Sequence, residues 1–170
     1  MNTLTQFRKD KDNFFKYDHH SPLTHDQQLV FTGLNYYPQN PDLIFTISVE
    51  EFPEQDTVTM QTSTGALQEY VRFGRFQFNV EGQTVALTLY ESEDEYFLPF
   101  ADALAGKETY GAGRYLEPHR MQNGKFLIDF NYAYNPYCAY NPRWSCPIPP
   151  AENRLKVPIR AGEKLFENHF

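Results

Sequence analysis

The side chains best suited to bind or transform a ligand lie in the last third of the chain. Arg114 carries a planar cation that can bind a carboxylate or phosphate through two hydrogen bonds. Asp129 and Asn131 add a carboxylate and an amide further along the sequence. We expect these three side chains to share one face of a β-hairpin, where they could orient a polar or anionic ligand. A buried network that anchors a loop to the sheet is favoured over this interpretation, because many rigid loops need such anchors.

Cys138 and Cys146, the two cysteines of the chain, admit four interpretations. Buried free thiols are favoured because cysteine is a good small core residue. A disulfide is permitted, since an eight-residue, proline-bent separation can bring two Cα atoms within about 7 Å. A metal site would need two further ligands, with His119 as a speculative third, and the spacing matches no known zinc motif. A nucleophilic cysteine would need a histidine base, and the surrounding loop contains none.

Residues 134–150 combine prolines and aromatic residues in a way that predicts a rigid loop. The prolines argue against a helix or a central strand, and the aromatic content is too high for a disordered linker. We expect this loop to pack back across the sheet. The aromatic side chains in and next to it could line the pocket of a flat ligand or could simply pack the loop. They are Tyr132, Tyr134, Tyr137, Tyr140 and Trp144.

The N-terminal residues predict a helix that ends near Tyr17, with Thr3 or Thr5 as its N-cap. It should stop before the Ser-Pro pair at 21–22, because the residue before a proline is pushed out of helical geometry. Three histidines follow in the linker. We interpret them as surface residues rather than as a metal site, since no further ligands stand at a recognisable spacing.

From residue 28 onward the pattern favours β-strands, at 29–31, 35–37, 43–49, 57–61 and 96–100. The clearest element is a hairpin around Glu81-Gly82. A two-residue loop there places Val80 opposite Gln83 and Phe78 opposite Val85. Pattern and turn agree in this hairpin, so its inward face is well defined.

A second hairpin is predicted from 108–120 and 125–134, around the turn pair Asn123-Gly124. Its register would place His119 opposite Ile128 and Arg114 opposite Ala133. The glycines at 111–113 do not form a phosphate loop, because no Lys-Ser or Lys-Thr pair and no helix follow them. They should instead allow a bulge or close packing under the proline-rich loop. Residues 155–159 could form a last short strand.

These elements predict a mostly β fold, in which an antiparallel meander forms a barrel. A two-sheet sandwich is the alternative. An N-terminal helix and a long Pro- and aromatic-rich C-terminal loop complete the fold. We expect one domain over 1–170, with a helix and linker at 1–22, the meander at 28–133, and the ordered loop and short strand at 134–163.

The overall charge excludes some partners and suggests others. A net charge of −7 with a pI near 5.2 argues against nucleic-acid binding. The sequence contains no apolar run long enough for a membrane helix and no secretory signal at its N-terminus, so we expect a cytoplasmic protein without membrane contact. Residues 107–164 hold nine Lys or Arg against five Asp or Glu, which suggests a small anionic ligand nearby.

Several segments resemble the bacterial and archaeal family catalogued as domain of unknown function 1684. They are ETYGAGRYL, IDFNYAYNPYCAYNPRWSCPIPPAEN and AGEK, together with FTGLNYYP, TSTG and FLPFADALAGKETYG. The resemblance covers nearly the whole chain and implies no activity or cofactor. It implies only that certain residues occupy motif positions: Glu108, Tyr110, Arg114, Asp129, Asn131, Asn135, Cys138, Cys146, Asn153 and Glu163.

Three functions remain open from the sequence. The first is a small-molecule-binding barrel, the second an enzyme such as a hydrolase or isomerase using the same polar cluster, and the third a structural or protein-interaction module. We favour the first, because barrels of this size can hold one small ligand. Catalytic residues, cofactor and oligomeric state are left open, and no metal ligand is assigned. The candidate ligand-binding residues are Glu108, Tyr110, Arg114, Asp129, Asn131, Tyr134, Asn135, Cys138, Cys146 and Asn153.

Overall fold

The computed structural model describes residues 2–167, which begin with helix α1 (Thr3–Tyr17). The side chain of Asn2 accepts a hydrogen bond from the Thr5 amide at 2.7 Å, so the N-cap is Asn2 and not Thr3 or Thr5. The helix ends at Tyr17, with Asp18 as its C-cap, and so stops before the Ser-Pro pair as the sequence predicted.

A second helix, α2 (His25–Val30), occupies part of the segment predicted as the first strand, 29–31. Thr24 and Gln27 form a reciprocal capping box, in which each side chain accepts a hydrogen bond from the other residue's amide. This cap satisfies two backbone donors that a helix start leaves unpaired. The strand prediction at 29–31 is therefore wrong.

Nine strands lie within residues 2–167 and pair into two antiparallel sheets. Their bounds are β1 (Ile44–Ile47), β2 (Glu50–Glu51), β3 (Thr57–Gln61), β4 (Leu67–Val80), β5 (Gln83–Ser92), β6 (Glu95–Phe100), β7 (Arg114–Leu116), β8 (His119–Arg120) and β9 (Phe126–Asp129). The smaller sheet has the order β1-β9-β8. The larger has the order β2-β4-β5-β6-β7, and β3 also pairs with β4. Short 3-10 helices occupy Pro41–Leu43, Phe130–Tyr132, Tyr137–Ala139 and Ala151–Asn153.

Both sheets contribute aromatic residues to a shared hydrophobic core. Ring centroids lie 5.2 Å apart for Phe45 and Phe78, 6.0 Å for Phe73 and Phe126, and 5.4 Å for Phe78 and Phe130. Phe73 and Phe78 belong to β4 of the larger sheet. Their partners belong to β1 or β9 of the smaller sheet or, for Phe130, to the segment directly after β9. The mostly β, antiparallel class is confirmed, and the sheets remain open, so the two-sheet alternative describes the protein better than a barrel does.

The hairpin of β4 and β5 has the predicted register. Phe78 lies opposite Val85, and the neighbouring pairs agree. Glu81 and Gly82 form the turn with φ values of 50° and 79°, the positive angles that a two-residue hairpin turn of this type requires.

The second predicted hairpin exists, but its register is wrong by one residue. His119 lies opposite Leu127 instead of Ile128. The loop has three residues, 122–124, closed by a hydrogen bond from the Met121 amide to the Lys125 carbonyl. Gly124 takes the positive φ of 83° that such a loop needs at its last position. Because the register differs by one residue, side chains that were predicted to be neighbours across the two strands lie on opposite faces of the hairpin.

Arg114 belongs to the larger sheet and not to this hairpin. It begins β7 and lies opposite Phe100 of β6, so its predicted pairing with Ala133 is wrong. Just before it, a Cβ atom on Gly113 would lie 2.6 Å from the Phe100 carbonyl oxygen and 2.8 Å from Pro149. The prediction that this glycine allows close packing beneath the proline-rich loop is therefore confirmed.

Two further predicted strands are not formed among the described residues. Residues 35–37 make one isolated β-bridge, between Tyr36 and Glu163. Residues 155–159 do not form a strand and are hydrogen-bonded instead to the segment after β6, where the Leu155 amide donates to the Ala101 carbonyl at 2.7 Å and the Ala103 amide to the Val157 carbonyl at 3.0 Å. Alternate residues of this segment are nevertheless buried in the core.

Candidate functional site

Arg114 is fully enclosed by its own chain. Its guanidinium donates to the carbonyls of Ile159 at 2.9 Å, Ala161 at 2.5 Å and Glu163 at 3.0 Å, and it lies 3.9 Å from the Asp102 carboxylate. The side chain is 1% exposed, and this burial lowers its pKa while Asp102 opposes the shift. Arg114 therefore holds the C-terminal segment against β7 and has no free donor face toward solvent.

Asp129 and Asn131 lie together but apart from Arg114, so the predicted three-residue cluster is not formed. Asn131 donates from its backbone and side-chain amides to the Asp129 carboxylate at 3.0 and 2.9 Å. Its side chain also exchanges hydrogen bonds with the backbone of Asn40 at 2.8 and 2.9 Å. Asn131 is buried and fully used in these contacts, which indicates an anchoring role. Asp129 is partly exposed.

Asn153 fills a gap between two strands. β5 and β6 pair only next to their connecting turn, at 90–92 and 95–97. Where they separate, the Asn153 side chain accepts from the Thr88 amide at 2.8 Å and donates to the carbonyls of Thr88 at 2.9 Å and Pro99 at 2.7 Å. Asn153 is 0% exposed, so it serves the sheet and is closed to a ligand in this structure.

A buried carboxylate, Glu163, joins α1 to the C-terminal segment. It forms an ion pair with Lys11 and accepts a hydrogen bond from the Tyr140 hydroxyl at 2.5 Å. Burial, followed by the negative charge of Glu163, raises the pKa of Tyr140 well above its usual value, so Tyr140 remains a donor. Asn135 donates to the Lys164 carbonyl at 3.0 Å, and its Oδ1 atom has no partner among residues 2–167.

The loop that carries the cysteines is ordered and packs mainly against the helical part of the chain. Tyr140 contacts Phe15 of α1 edge to face, with centroids 5.0 Å apart. The indole of Trp144 donates to the Pro22 carbonyl at 3.3 Å. Pro147 joins the end of β3 through a β-bridge. These contacts agree with the prediction of a rigid loop. The loop packs against the helical segment as well as against the sheet, whereas the sequence predicted packing on the sheet.

The two cysteines meet inside this loop as free thiols. The Cys138 amide donates to the Cys146 sulfur at 3.3 Å, and the Tyr110 hydroxyl donates to the Cys138 sulfur at 3.6 Å. A hydrogen bond from the Cys146 thiol, assisted by the hydroxyls of Tyr110 and Ser63, lowers the pKa of Cys138 to about 6 despite partial burial. The bond to Cys138, followed by burial, raises the pKa of Cys146. The two thiols are therefore electronically unequal.

A cleft of about 420 Å³, here called the aromatic cleft, opens beside β9. The rings of Phe7 and Tyr132 meet edge to face, with centroids 5.0 Å apart. Glu117 accepts a hydrogen bond from Tyr134, and Asp129 supplies a second carboxylate. The lining residues are Phe7, Leu116, Glu117, Pro118, His119, Leu127, Asp129, Tyr132 and Tyr134.

A second cleft, also about 420 Å³, holds the predicted residue Glu108. Glu108 accepts a hydrogen bond from the Tyr37 hydroxyl at 2.9 Å. Lys107 and Lys164 line this cleft together with Glu108 and Glu167, so its formal charges balance. This balance gives an anionic ligand no clear preference for the site.

The described residues contain one group with the geometry to hold a metal ion, formed by Asp18, His19 and His20 at the end of α1. The two histidines are exposed, and such a group on a surface commonly exists without a metal. The cysteines are not part of this group. No helix within residues 2–167 is long and apolar enough to cross a membrane.

Sequence reasoning missed that α1 contributes a side chain to the aromatic cleft and another to the ion pair with Glu163. Phe7 lines the aromatic cleft, and Lys11 pairs with Glu163. A signal for both was present, because Phe7, Lys11 and Phe15 are spaced four residues apart and so share one helix face. A lysine in an otherwise aromatic stripe predicts a buried acidic partner.

The fold and its contacts define a class: a mostly β protein with two open antiparallel sheets, an N-terminal helix against a rigid aromatic loop, and a cleft between helix and sheet. The chain belongs to the family described as protein of unknown function (DUF1684), whose sequence profile matches residues 30–164.

An uncharacterized protein from Haloarcula marismortui, solved by solution NMR, is similar in structure. Its TM-score is 0.72 and its sequence identity 31%, over 95% of this chain and 91% of that one. No curated protein matches the chain significantly. The structural relative has a similar fold, and since neither it nor the family is described with a function, the function is argued from the site.

Proposed function

We propose that the protein binds a small organic ligand in the aromatic cleft. The observation that carries this proposal is a cleft of about 420 Å³ in which two aromatic rings stand beside two carboxylates. This volume falls within the ordinary range of ligand pockets, about 300–1,000 Å³. Pockets of this kind combine apolar walls with a few polar groups that orient the ligand. Asp129 and Tyr134, both candidates from the sequence, line it.

The lining determines the class of ligand. Phe7, Tyr132 and Leu127 offer apolar surface that suits a flat ring. Glu117 and Asp129 offer negative charge at the edge of this surface. Electron-rich aromatic faces also attract cations. An aromatic or alicyclic amine fits this combination better than the anion that the charge distribution of the sequence suggested, because Arg114 is occupied by main-chain carbonyls.

A pair of probes with the same ring and opposite charge tests the proposal. Tyramine and 4-hydroxyphenylacetate are each titrated into isotope-labelled protein, and amide shifts are followed by NMR. We expect tyramine to bind with shifts centred on the cleft and at least about tenfold more tightly than the carboxylate, since each 1.4 kcal/mol of charge preference is tenfold in affinity. Binding of neither probe, or shifts confined to another surface, contradicts the proposal.

Two substitutions on α1 distinguish binding in the aromatic cleft from nonspecific binding to exposed aromatic residues. Phe7 lines the cleft and is 39% exposed, while Tyr17 on the same helix is 75% exposed and lies outside it. Phe7→Ala should weaken tyramine binding at least about fivefold, because loss of an aromatic contact costs about 1 kcal/mol or more. Tyr17→Ala should leave it unchanged. Equal effects of the two substitutions contradict the assignment.

Charge selectivity gives an independent control. Glu117→Gln keeps the shape of the cleft and removes one of its carboxylates. We expect it to reduce the preference for tyramine over 4-hydroxyphenylacetate without reducing affinity for the carboxylate probe. Product formation from a bound probe, followed by NMR over hours, would instead favour the enzyme alternative.

A further inference from the structure

We propose that Cys138 and Cys146 form a reversible dithiol–disulfide site that exchanges with low-molecular-weight disulfides. The site shares no residue with the aromatic cleft, so it stands or falls independently of ligand binding there. Its components are two free thiols, a contact of 3.3 Å between the Cys138 amide and the Cys146 sulfur, a hydroxyl donor to the Cys138 sulfur, and partial exposure of Cys138.

The geometry already places the Cys146 sulfur against Cys138. The Cys138 amide points at that sulfur at 3.3 Å. A disulfide requires an S–S bond of about 2.05 Å and two Cα atoms within about 7 Å, and a sulfur this close to the Cys138 backbone is compatible with both after side-chain rotation. The 3-10 helix Tyr137–Ala139 holds one cysteine, and a bond from the Cys146 amide to Ser63 at 3.2 Å holds the other.

The two thiols differ in the way that an attacking and a resolving cysteine must differ. Cys138 is partly exposed, and its sulfur receives a hydrogen bond from the Tyr110 hydroxyl that stabilises a thiolate. Cys146 is 8% exposed and stays protonated beside it. An external disulfide therefore meets Cys138 first, and the mixed disulfide forms within reach of Cys146.

The exchange balances in two steps. The Cys138 thiolate attacks one sulfur of a disulfide RSSR, forming Cys138–S–S–R and releasing RS⁻. Cys146 then loses its proton to the released thiolate or to water, and its sulfur attacks the Cys138 sulfur. This step forms the Cys138–Cys146 bond and releases the second RS⁻. Counted from the dithiol, the protein loses two electrons and two protons, one proton when Cys138 ionises and one from Cys146, and the external disulfide takes up both electrons and both protons to become two thiols.

A metal-binding role for the same pair lacks ligands. Among residues 2–167, the cysteines belong to no group of three or more metal-ligating side chains, and His119 lines the aromatic cleft instead. A purely packing role would not need a hydroxyl aimed at the Cys138 sulfur. A thiolate stabilised by a hydroxyl and next to a second cysteine favours exchange chemistry.

Mass spectrometry of the folded, reduced protein tests the proposal with glutathione disulfide as the probe. The wild-type protein should lose two hydrogen masses and retain no glutathione. Cys146→Ser should accumulate one glutathione on Cys138, because the resolving thiol is absent. Cys138→Ser should react at least about tenfold more slowly, because the remaining thiol of Cys146 is only 8% exposed.

Three results would overturn the proposal. They are a wild-type protein that does not react while folded, a wild-type protein that retains glutathione, and a Cys138→Ser variant that reacts as fast as the wild type. Tyr110→Phe guards against a misfolded cysteine variant, since it removes only a hydroxyl. It should shift the pH midpoint of Cys138 alkylation upward, and an unchanged midpoint would count against the assigned donor.

Discussion

Replacing Asn153 tests how the structure holds its larger sheet together. Its side chain is 0% exposed and satisfies three backbone groups, the amide and carbonyl of Thr88 and the carbonyl of Pro99. Asn153→Ala leaves these groups without their partner in a buried space. An unsatisfied buried group costs about 1–3 kcal/mol, so the free energy of unfolding should fall by roughly 3–5 kcal/mol if water partly enters the space.

Urea denaturation measures this loss as a lower midpoint at an unchanged slope. Asn79→Ala is the matched control, because the Asn79 side chain is exposed and accepts a hydrogen bond from the Thr84 hydroxyl across the β4–β5 hairpin. It should change the free energy of unfolding by less than about 0.5 kcal/mol. A loss below about 1 kcal/mol for Asn153→Ala would refute the role assigned to this side chain.

Three further predictions concern charged and reactive groups. Glu163→Gln should lower the free energy of unfolding by roughly 2–3 kcal/mol. This is less than for a fully buried ion pair, because the partner Lys11 is 16% exposed. A variant whose thermal or urea unfolding matches that of the wild type would contradict this prediction. Alkylation of Cys138 by iodoacetamide should rise with pH around a midpoint near 6, whereas a midpoint above 8 would contradict the assigned hydrogen bonds. The hydrogen bond and charge of Arg72 lower the pKa of Glu152, so the contribution of this carboxylate to the free energy of unfolding is complete above the ordinary Glu pKa and is lost as the pH falls through the lowered value. The free energy of unfolding of Glu152→Gln should therefore fall less between pH 5 and 3 than that of the wild type. Parallel pH dependences of the two proteins would contradict this.

Local signals were sufficient wherever turn chemistry and strand period agreed. The hairpin around Glu81-Gly82 was predicted to the residue, because a two-residue turn leaves only one register that buries its phenylalanines. The helix over Thr3–Tyr17 and the close packing at Gly113 followed in the same way from local patterns. The antiparallel, mostly β class follows from the same local patterns.

Loop length is where local reasoning failed. Asn123-Gly124 fits a two-residue turn and the end of a three-residue turn equally well, and the structure contains the second. One extra residue flips the faces of the hairpin, which removed the basis for grouping Arg114 with Asp129. At His25–Val30, a capping box outweighed a short β-like pattern.

The sequence by itself determined the fold class and the main hairpin, since both depend on interactions between near neighbours. Only the tertiary structure decided the partners of the polar residues. Arg114 binds carbonyls 45 to 49 residues away, and Lys11 pairs with Glu163 across 152 residues. Buried polar groups take whichever partners the folded chain brings within hydrogen-bond distance, and that choice depends on how the two sheets and α1 pack together.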